Sequence, residues 1–296
     1  MQALSLETTR PVELYAHKLL QTALQNRTPL TEKEYATHLN YAYVKTESLE
    51  TRGINTENLN SVVTNGIRVW TPERETLHQE IISSFLSKWD DVPFNREAVL
   101  SGGLAGGGKT TTLIKHTHFN LNDYAFLSPD DVKEAMSEKG MFPTVRGLTM
   151  MESSALGYEE ASYLAAVLFN DCLAKGRNLI YDTTMGSHSG VTMKIEPLRE
   201  HGYMMSAVFI DIQISTSLRR SQERHRRGLA RYLTSGEGHG GRLLPRHAVK
   251  RQIPDNPADY SSKNREIFNH YRDTGWFNES FIFDNNVDGR APQLVG

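Results

Sequence analysis

The sequence predicts an α/β protein built on a parallel sheet of about five strands, with helices on both faces. After residue 70, short apolar runs typical of buried parallel strands alternate with longer segments of helical periodicity. A glycine-rich loop, Gly103-x-x-x-x-Gly108-Lys109-Thr110, separates one of these apolar runs from a helical segment. Alternation of this kind places successive strands parallel to one another and packs the connecting helices against the sheet.

The glycine-rich loop has the residue types and the spacing that bind nucleotide phosphates. Glycines allow a tight turn in which backbone N–H groups converge on an anion, and the following helix adds its positive dipole end. Lys109 supplies a positive charge for the β- and γ-phosphates, and the Thr110 hydroxyl is suited to ligating Mg²⁺. We therefore predict the three-layer fold of P-loop nucleotide triphosphatases. The predicted nucleotide-binding residues of the loop are Gly103, Gly106, Gly107, Gly108, Lys109, Thr110 and Thr111.

Length and composition limit the class of protein. The 296 residues are enough for one large domain or for a domain with an appendage, and 38% hydrophobic and 23% charged residues are ordinary for a globular protein. The net charge of −2 argues against a broadly basic nucleic-acid-binding protein. Cys172, the one cysteine, excludes an intramolecular disulfide and favours a reducing compartment. Because the sequence shows no signal peptide and no apolar stretch of about 20 residues, we expect a cytoplasmic protein that does not cross a membrane.

The chain divides into an N-terminal helical extension, residues 1–70, and an α/β domain, residues 71–296. In the extension, apolar residues from Val12 onward recur at helical spacing, and residues 31–34 have the pattern of a capping box that opens a second helix. Residues 55–65 are polar and rich in turn formers, so we expect them to be irregular. The extension carries no recognisable chemistry, which leaves packing, a lid or a partner-binding arm as its role.

In the α/β domain, local signals give the order of the elements. Thr71 and Pro72 have the chemistry of an N-cap and of a first helical position. The elements expected after this helix are a strand at 98–100, a helix from 111, a strand at 124–127, an irregular loop at 140–151, a helix at 152–174 ended by Gly176, a strand at 178–182, a helix at 190–202, a strand at 204–211, an arginine-rich helix at 215–231, a helix at 257–271, and a final strand and turn at 275–286.

Two predicted strands end in carboxylates, at the edge of the sheet where ligands bind. Asp130 or Asp131, after the second strand, is placed to accept a proton from a substrate hydroxyl, although an acid here also suits a helix N-cap. Asp182 ends the third strand and is followed by Thr183 and Thr184, which we expect to contact the substrate. An apolar strand closed by an acid is the pattern in which that acid orients Mg²⁺ in nucleotide triphosphatases.

Three further features have competing interpretations. A lid that closes on phosphates is one interpretation of the arginines in helix 215–231 and of the glycine-rich segment that carries Arg242. A solvated basic face and an RNA-binding patch are the alternatives. Glu159 and Glu160 lie early on the helix predicted at 152–174, where they either favour the helix dipole or contact the substrate. Asn285 follows the last strand and either touches the nucleotide base or forms a turn.

Over about residues 70–295 these landmarks resemble the zeta-toxin family of kinases. The matching stretches are Glu73-Arg74 and Leu77-His78 before the glycine loop, Ser128-Pro-Asp130-Asp131-Val-Lys133, Asp182-Thr183-Thr184, Gln222-Glu-Arg224-His, Gly241-Arg242-Leu-Leu-Pro, and Phe283-Asp284-Asn285. The resemblance implies that Asp130 is the base for the substrate hydroxyl and that Arg224 and Arg242 are lid arginines that stabilise the transferred phosphoryl group. Thr183 stands where the family usually has glycine.

Members of this family transfer the γ-phosphate of ATP to a sugar hydroxyl of a UDP-activated amino sugar, and at least one branch phosphorylates a dinucleotide cofactor of the NAD type. The resemblance therefore implies a small-molecule kinase that uses ATP or GTP with Mg²⁺. Residues 1–70 lie outside the resemblance, and two forms of regulation stay open: an antitoxin protein, or self-inhibition by this segment. Two other classes stay open: a polynucleotide 5′-kinase whose arginine helix follows a strand, and a nucleotide-binding regulator without transfer activity.

Overall fold

The structure is a computed structural model that describes residues 11–296, and these residues form two compact units. Unit 1 consists of the described chain up to Ile81, Val132–Tyr163 and Ser221–Arg246, and unit 2 consists of Ile82–Asp131, Leu164–Arg220 and His247–Gly296. Unit 1 therefore combines residues of the predicted N-terminal extension with three stretches of the predicted α/β domain, 71–81, 132–163 and 221–246.

Most of the expected helices are present, with two differences in their bounds. The helices are α1 (Pro11–Asn26), α2 (Glu32–Thr51), α3 (Thr56–Asn60), α4 (Pro72–Lys88), α5 (Lys109–His116), α6 (Pro129–Glu138), α7 (Met150–Ser153), α8 (Tyr158–Lys175), α9 (His188–Glu200), α10 (Ile214–Ser235), α11 (Arg246–Lys250) and α12 (Lys263–Asp273). The helix predicted at 152–174 is interrupted by a 3₁₀ turn at Ser154–Gly157, where a Cβ on Gly157 would lie 2.3 Å from the Phe142 ring. The helix predicted from residue 257 begins only at Lys263, because the side chain of Ser262 caps it there.

A parallel sheet forms the centre of unit 2. The strands of the described chain are β1 (Ser61–Thr64), β2 (Ile67–Trp70), β3 (Glu97–Gly103), β4 (Ala125–Leu127), β5 (Leu179–Asp182), β6 (Met204–Asp211), β7 (Glu279–Asp284) and β8 (Gln293–Leu294). Six of them form one sheet in the order β4-β5-β3-β6-β7-β8, in which only β8 pairs antiparallel. The predicted α/β fold with a parallel sheet of about five strands is therefore confirmed.

The sheet of unit 2 is held by an apolar core that also fixes the edge where the strands end. Val99, Ile180, Val208 and Ile210 belong to one buried cluster with Leu113 of α5. Burying a side chain of this size contributes about 1.5–3 kcal/mol relative to leaving it exposed. Since the parallel strands share one direction, their carboxyl ends lie at the same edge of the sheet, and polar residues there are held on a rigid base.

In unit 1, α1 and α2 pack against the second half of α10. Leu20, Leu30 and Tyr35 form a buried cluster with Leu229 and Leu233 of α10. The capping box predicted at residues 31–34 is present and starts α2. The N-terminal helices thus contribute to the core of a unit that also contains residues of the predicted α/β domain.

The prediction that residues 55–65 are irregular is wrong. Asn55 caps the short helix α3 by accepting a hydrogen bond from the backbone N–H of Asn58, and β1 then pairs antiparallel with β2. Asn65 and Gly66 form the connecting turn with φ of 52° and 78°. Two consecutive left-handed residues match the twist of a hairpin, and Asn-Gly is the sequence that favours this turn most strongly.

None of the helices within residues 11–296 is long and apolar enough to span a membrane.

Candidate phosphoryl-transfer site

The glycine-rich loop connects β3 to α5 at the carboxyl edge of the sheet in unit 2. Gly103, Gly106 and Gly108 have positive φ angles of 126°, 75° and 82°. A Cβ on Gly103 would lie 2.3 Å from the carbonyl oxygen of Ile210 on β6, so a larger residue does not fit there. The predicted order of strand, glycine loop and helix is confirmed, and the loop has the backbone form of a phosphate-binding turn.

Asp182 lies beside the lysine of the loop. The register of β3 with β5 places Ser101 next to Asp182, and Ser101 Oγ donates a hydrogen bond to Asp182 Oδ1 at 2.6 Å. Lys109 Nζ lies 3.7 Å from the same carboxylate oxygen. The Asp182 carboxylate and the hydroxyl of Thr110, the second residue of α5, are hard oxygen donors of the kind Mg²⁺ prefers. The residue types at this edge therefore fit the predicted Mg²⁺.

The turn after β5, which carries Thr183 and Thr184, is tied to the glycine loop by backbone bonds. Thr183 N donates to Ser101 O at 3.0 Å, and Gly103 N donates to Thr184 O at 3.4 Å. Asn264 Nδ2 donates to the same Thr184 oxygen at 2.7 Å, from the first turn of α12. The structure thus brings the two predicted substrate-contacting threonines and the predicted nucleotide loop to one edge of unit 2.

Asp130 and Asp131 lie at the end of the neighbouring strand. β4 pairs with β5 so that Leu127 stands opposite Tyr181, the residue before Asp182. Helix α6 begins at Pro129, and Ser128 Oγ accepts the N–H of Asp130 at 3.2 Å. The N-cap alternative for the two acids is therefore wrong. Both acids lie in the first turn of α6, because Pro129 takes the first helical position and Ser128 precedes the helix. The assignment of Asp130 as the base stays a prediction.

Asn285, predicted to touch the base or to form a turn, is fixed against the loop. Its backbone N–H donates to Asp211 O at 3.1 Å, and its Nδ2 donates to Gly107 O at 2.8 Å. Its side chain thus contacts the peptide backbone of the loop from the position that directly follows β7.

In unit 1, Glu160 is occupied by two basic side chains. Its carboxylate accepts hydrogen bonds from Arg74 at 2.5 and 2.7 Å and from His78 Nε2 at 2.6 Å, with no solvent exposure. Burial raises the pKa of Glu160, but the bonds from His78 and Arg74 outweigh burial and lower it. Both carboxylate oxygens are used within the fold, which favours a structural role for Glu160 over the predicted substrate contact. Glu159, the preceding residue, is exposed.

The two predicted lid arginines also lie in unit 1. Arg224 is exposed on α10, and Arg242 pairs with Glu134 of α6 at 2.9 Å. The glycine-rich segment before Arg242 is closely packed: a Cβ on Gly241 would lie 2.2 Å from the carbonyl oxygen of His225. Its glycines are therefore needed for close approach to α10 as well as for backbone freedom. The roles of Arg224 and Arg242 at the phosphoryl group stay predictions.

Comparison with known proteins identifies the family. The model of the family described as Zeta toxin matches residues 93–269, which is more than half of the chain. The chain belongs to the zeta toxin family. A solved structure from the PezAT chromosomal toxin–antitoxin system of Streptococcus pneumoniae is 14% identical over 76% of this chain and 82% of its own, with a TM-score of 0.50. The AvrRxo1-ORF1:-ORF2 structure with ATP is 18% identical over 76% of this chain and 67% of its own, with a TM-score of 0.54.

At these identities the two solved structures show a shared fold, and no curated protein matches the chain. The prediction of a P-loop kinase of the zeta toxin family is confirmed at that level. The matched region contains the glycine loop, Asp130, Asp182 and both predicted lid arginines.

One buried network of this zeta toxin family protein has no counterpart among the predictions. Glu152 of α7 is fully buried, and its Oε1 accepts hydrogen bonds from His38 Nε2 at 2.6 Å and from His225 Nε2 at 3.0 Å. Its Oε2 accepts from the N–H and the hydroxyl of Thr149. Burial alone would raise the pKa of Glu152, but the two histidines outweigh burial and lower the pKa of this carboxyl well below its usual range.

The two histidines of this network differ at their second ring nitrogen. His225 Nδ1 lies 3.1 Å from the Tyr35 hydroxyl, which also donates to Gln222 O at 3.0 Å. His38 Nδ1 is buried without a hydrogen-bond partner in the described chain. The network joins α2 of the N-terminal extension to α7 and α10.

The sequence offered a partial signal for this network. Thr149-x-x-Glu152 has the capping-box pattern, and the structure shows that box. His38 and His225 had no local signal, because their partner is more than 70 residues away in each case.

Proposed function

We propose that this protein is a kinase that transfers the γ-phosphate of ATP to a hydroxyl of a small nucleotide-linked metabolite, with a UDP-activated amino sugar as the first acceptor to test. The observation that carries the proposal is the pairing of Lys109 with Asp182 at 3.7 Å, beside a glycine loop of phosphate-binding form, in a chain of the zeta toxin family. The acceptor follows from the family resemblance, and a dinucleotide of the NAD type is the alternative acceptor.

In the proposed reaction, the loop from Gly103 to Thr110 binds the ATP phosphates and Lys109 offsets their charge. Thr110 and Asp182 would hold Mg²⁺, which supplies charge neutralisation at the β- and γ-phosphates. Asp130 accepts the proton of the acceptor hydroxyl as that oxygen bonds to the γ-phosphorus. The bond between the γ-phosphorus and the β-γ bridging oxygen breaks, and ADP leaves. Such catalysis is mostly positioning and electrostatics, since the protein forms no covalent bond.

The rigidity of the sheet edge supports this chemistry. Asp182 is fixed by Ser101, and the turn that follows Asp182 is fixed by Asn264 and by the backbone of the loop. A site on strand ends holds its groups more exactly than a site on free loops. The Asp182 carboxylate, which would hold Mg²⁺, is therefore held in place by contacts of the fold itself.

The test is phosphoryl transfer to a panel of acceptors. Purified protein with ATP and Mg²⁺ is incubated separately with UDP-N-acetylglucosamine, NAD, a 5′-hydroxyl oligonucleotide and a metabolite extract, and products are read by mass spectrometry. We expect one small metabolite to gain a phosphoryl group, with ADP formed in equal amount. Phosphorylation of the oligonucleotide alone would favour a polynucleotide kinase. ATP turnover that no acceptor stimulates would contradict the proposed function and favour a regulatory role.

We further propose that the N-terminal extension is a fixed part of unit 1, and that inhibition of this protein depends on a separate antitoxin. Two of the solved structures to which the chain is similar come from a toxin–antitoxin system and from a complex of two gene products. Release of α2 would remove His38 from the buried carboxylate of Glu152 and would expose the cluster around Leu229. Both changes would raise the free energy of the state in which α2 is released. These contacts therefore favour a permanent structural role for the extension over a detachable inhibitory arm. The domain boundary at residue 70 stays a prediction.

A further inference from the structure

Three consecutive carbonyl groups of the glycine loop each accept a hydrogen bond from a side chain outside the loop. The three bonds are Ser217 Oγ to Ala105 O at 2.7 Å, Arg220 Nη1 to Gly106 O at 3.3 Å, and Asn285 Nδ2 to Gly107 O at 2.8 Å. The donors come from two places in unit 2: the first two turns of α10 and the residue that follows β7. Because each of these three carbonyls has a side-chain donor, the orientation of the three peptide planes is fixed.

The orientation of these peptides determines where their N–H groups point. In a trans peptide the C=O and the N–H of the next residue lie on opposite sides of the plane. The bonds from Ser217 to Ala105 O and from Asn285 to Gly107 O therefore direct the N–H groups of Gly106 and Gly108 away from these two side chains. The N–H of Gly107 closes the turn on Leu104 O at 3.1 Å.

A glycine loop needs such external bonds more than other loops do. Gly106 and Gly108 are left-handed, and glycine passes between positive and negative φ at little cost. A rotated peptide would present a carbonyl oxygen, instead of an N–H donor, to a phosphate. The side-chain bonds remove this alternative before the nucleotide arrives, so the binding free energy is not spent on ordering the loop.

Arg220 adds charge to the same arrangement. Its guanidinium pairs with Asp288 at 2.8 Å while it reaches Gly106 O, and it is 16% exposed. Arg219 pairs with the other oxygen of Asp288 at 2.6 Å. The hydrogen bonds from Arg220 and Arg219 lower the pKa of Asp288, and the ion pair with Asp288 keeps the Arg220 guanidinium within reach of Gly106 O.

We propose that Ser217 and Asn285 are positioning residues of the nucleotide site: they hold the peptides of residues 105–108 so that the loop presents N–H donors to phosphate. This inference rests on the proposed nucleotide site and deepens it. For Asn285 it replaces the predicted contact with the nucleotide base by a contact with the loop. Neither side chain touches phosphate directly in this arrangement.

The experiment measures the Kd of Mg-ATP and of inorganic tripolyphosphate by calorimetry for the wild-type chain, Ser217→Ala, Asn285→Ala and Ser217→Thr. Loss of either donor is expected to raise both Kd values by about three- to tenfold, the range for one hydrogen bond. Ser217→Thr keeps a hydroxyl at the same position and should recover most of the affinity. A residue that touched the base would weaken ATP binding and leave tripolyphosphate binding unchanged.

Matched controls separate positioning from general loss of stability. Ser215→Ala removes an exposed hydroxyl in the first turn of α10. Asn286→Ala removes a neighbouring asparagine whose Oδ1 accepts from Gln213 N at 2.6 Å, so it should lower the melting temperature and leave both Kd values unchanged. Ser217→Ala and Asn285→Ala binding as tightly as wild type would overturn the inference alone. A folded wild-type chain that binds neither ligand would overturn the proposed function and this inference with it.

Discussion

Replacing His38 by leucine tests the buried network that joins the N-terminal extension to α10. Leucine fills a similar volume, but it removes the Nε2 donor that lies 2.6 Å from the fully buried Glu152 carboxylate. Glu152 keeps His225 and Thr149 as partners, so the loss is that of one charge-assisted hydrogen bond in a dry environment. We expect the free energy of unfolding to fall by about 2–3 kcal/mol. The corresponding fall in melting temperature is about 3–5 °C for a chain of 296 residues.

The measurement is a thermal melt followed by circular dichroism, with two comparison variants. Glu32→Gln breaks an ion pair with Arg226 at 2.6 Å that also joins α2 to α10, but Glu32 is 80% exposed. Exposed pairs contribute little, so this variant should melt within about 2 °C of wild type. His38→Gln restores an N–H donor and should recover part of the loss. The reasoning is refuted if His38→Leu melts at the same temperature as wild type or as Glu32→Gln.

Three other changes test the remaining assignments. Deletion of residues 1–70 should give an unstable, inactive chain, whereas a folded truncation with raised phosphoryl transfer would support self-inhibition instead. Asp130→Asn should lower turnover about 10²-fold or more at nearly unchanged ATP affinity, because it removes only the proton acceptor. Asp131→Asn removes a favourable charge from the first helical turn and should change turnover little. The opposite result would exchange the roles of the two residues. Arg242→Ala should lower kcat more than it raises the Kd of ATP if the arginine acts in the transition state. The control is Glu134→Gln, which neutralises the carboxylate that pairs with Arg242. Equal losses of kcat in the two variants would make the role of Arg242 structural.

The sequence predicted those parts of the site that have local signals. The spacing of glycines, Lys109 and Thr110 is contiguous, and the strand that ends in Asp182 is recognisable from its apolar run. The parallel order of strands then places both at one edge, as observed. The hairpin at Asn65 and Gly66 could also have been predicted, because Asn-Gly between β-branched residues is a strong turn signal. The prediction of an irregular segment gave more weight to the polarity of the region.

The supporting side chains could not be predicted, because their partners are distant in sequence. Ser217 and Asn285 reach the glycine loop across 112 and 178 residues, and each is an ordinary residue of a helix start or a turn in its own segment. His38 reaches Glu152 across 114 residues. Such pairings depend on tertiary packing, which hydrophobic periodicity and capping patterns do not specify. The partners of Glu160 could not be predicted for the same reason. Its position on the helix suggested a dipole effect, whereas its buried partners Arg74 and His78 come from α4.

The most direct test of the central claim is γ-phosphate transfer by Lys109→Ala. Lys109 lies 3.7 Å from Asp182 at the start of α5, and alanine removes the charge that offsets the phosphates without touching the core. With γ-labelled ATP, Mg²⁺ and the acceptor found in the panel, we expect wild type to transfer label to the acceptor and Lys109→Ala to be slower by about 10²-fold or more. A thermal melt must show that the variant is folded. A folded Lys109→Ala that transfers label at the wild-type rate would contradict the assignment of this loop as the phosphoryl-transfer site.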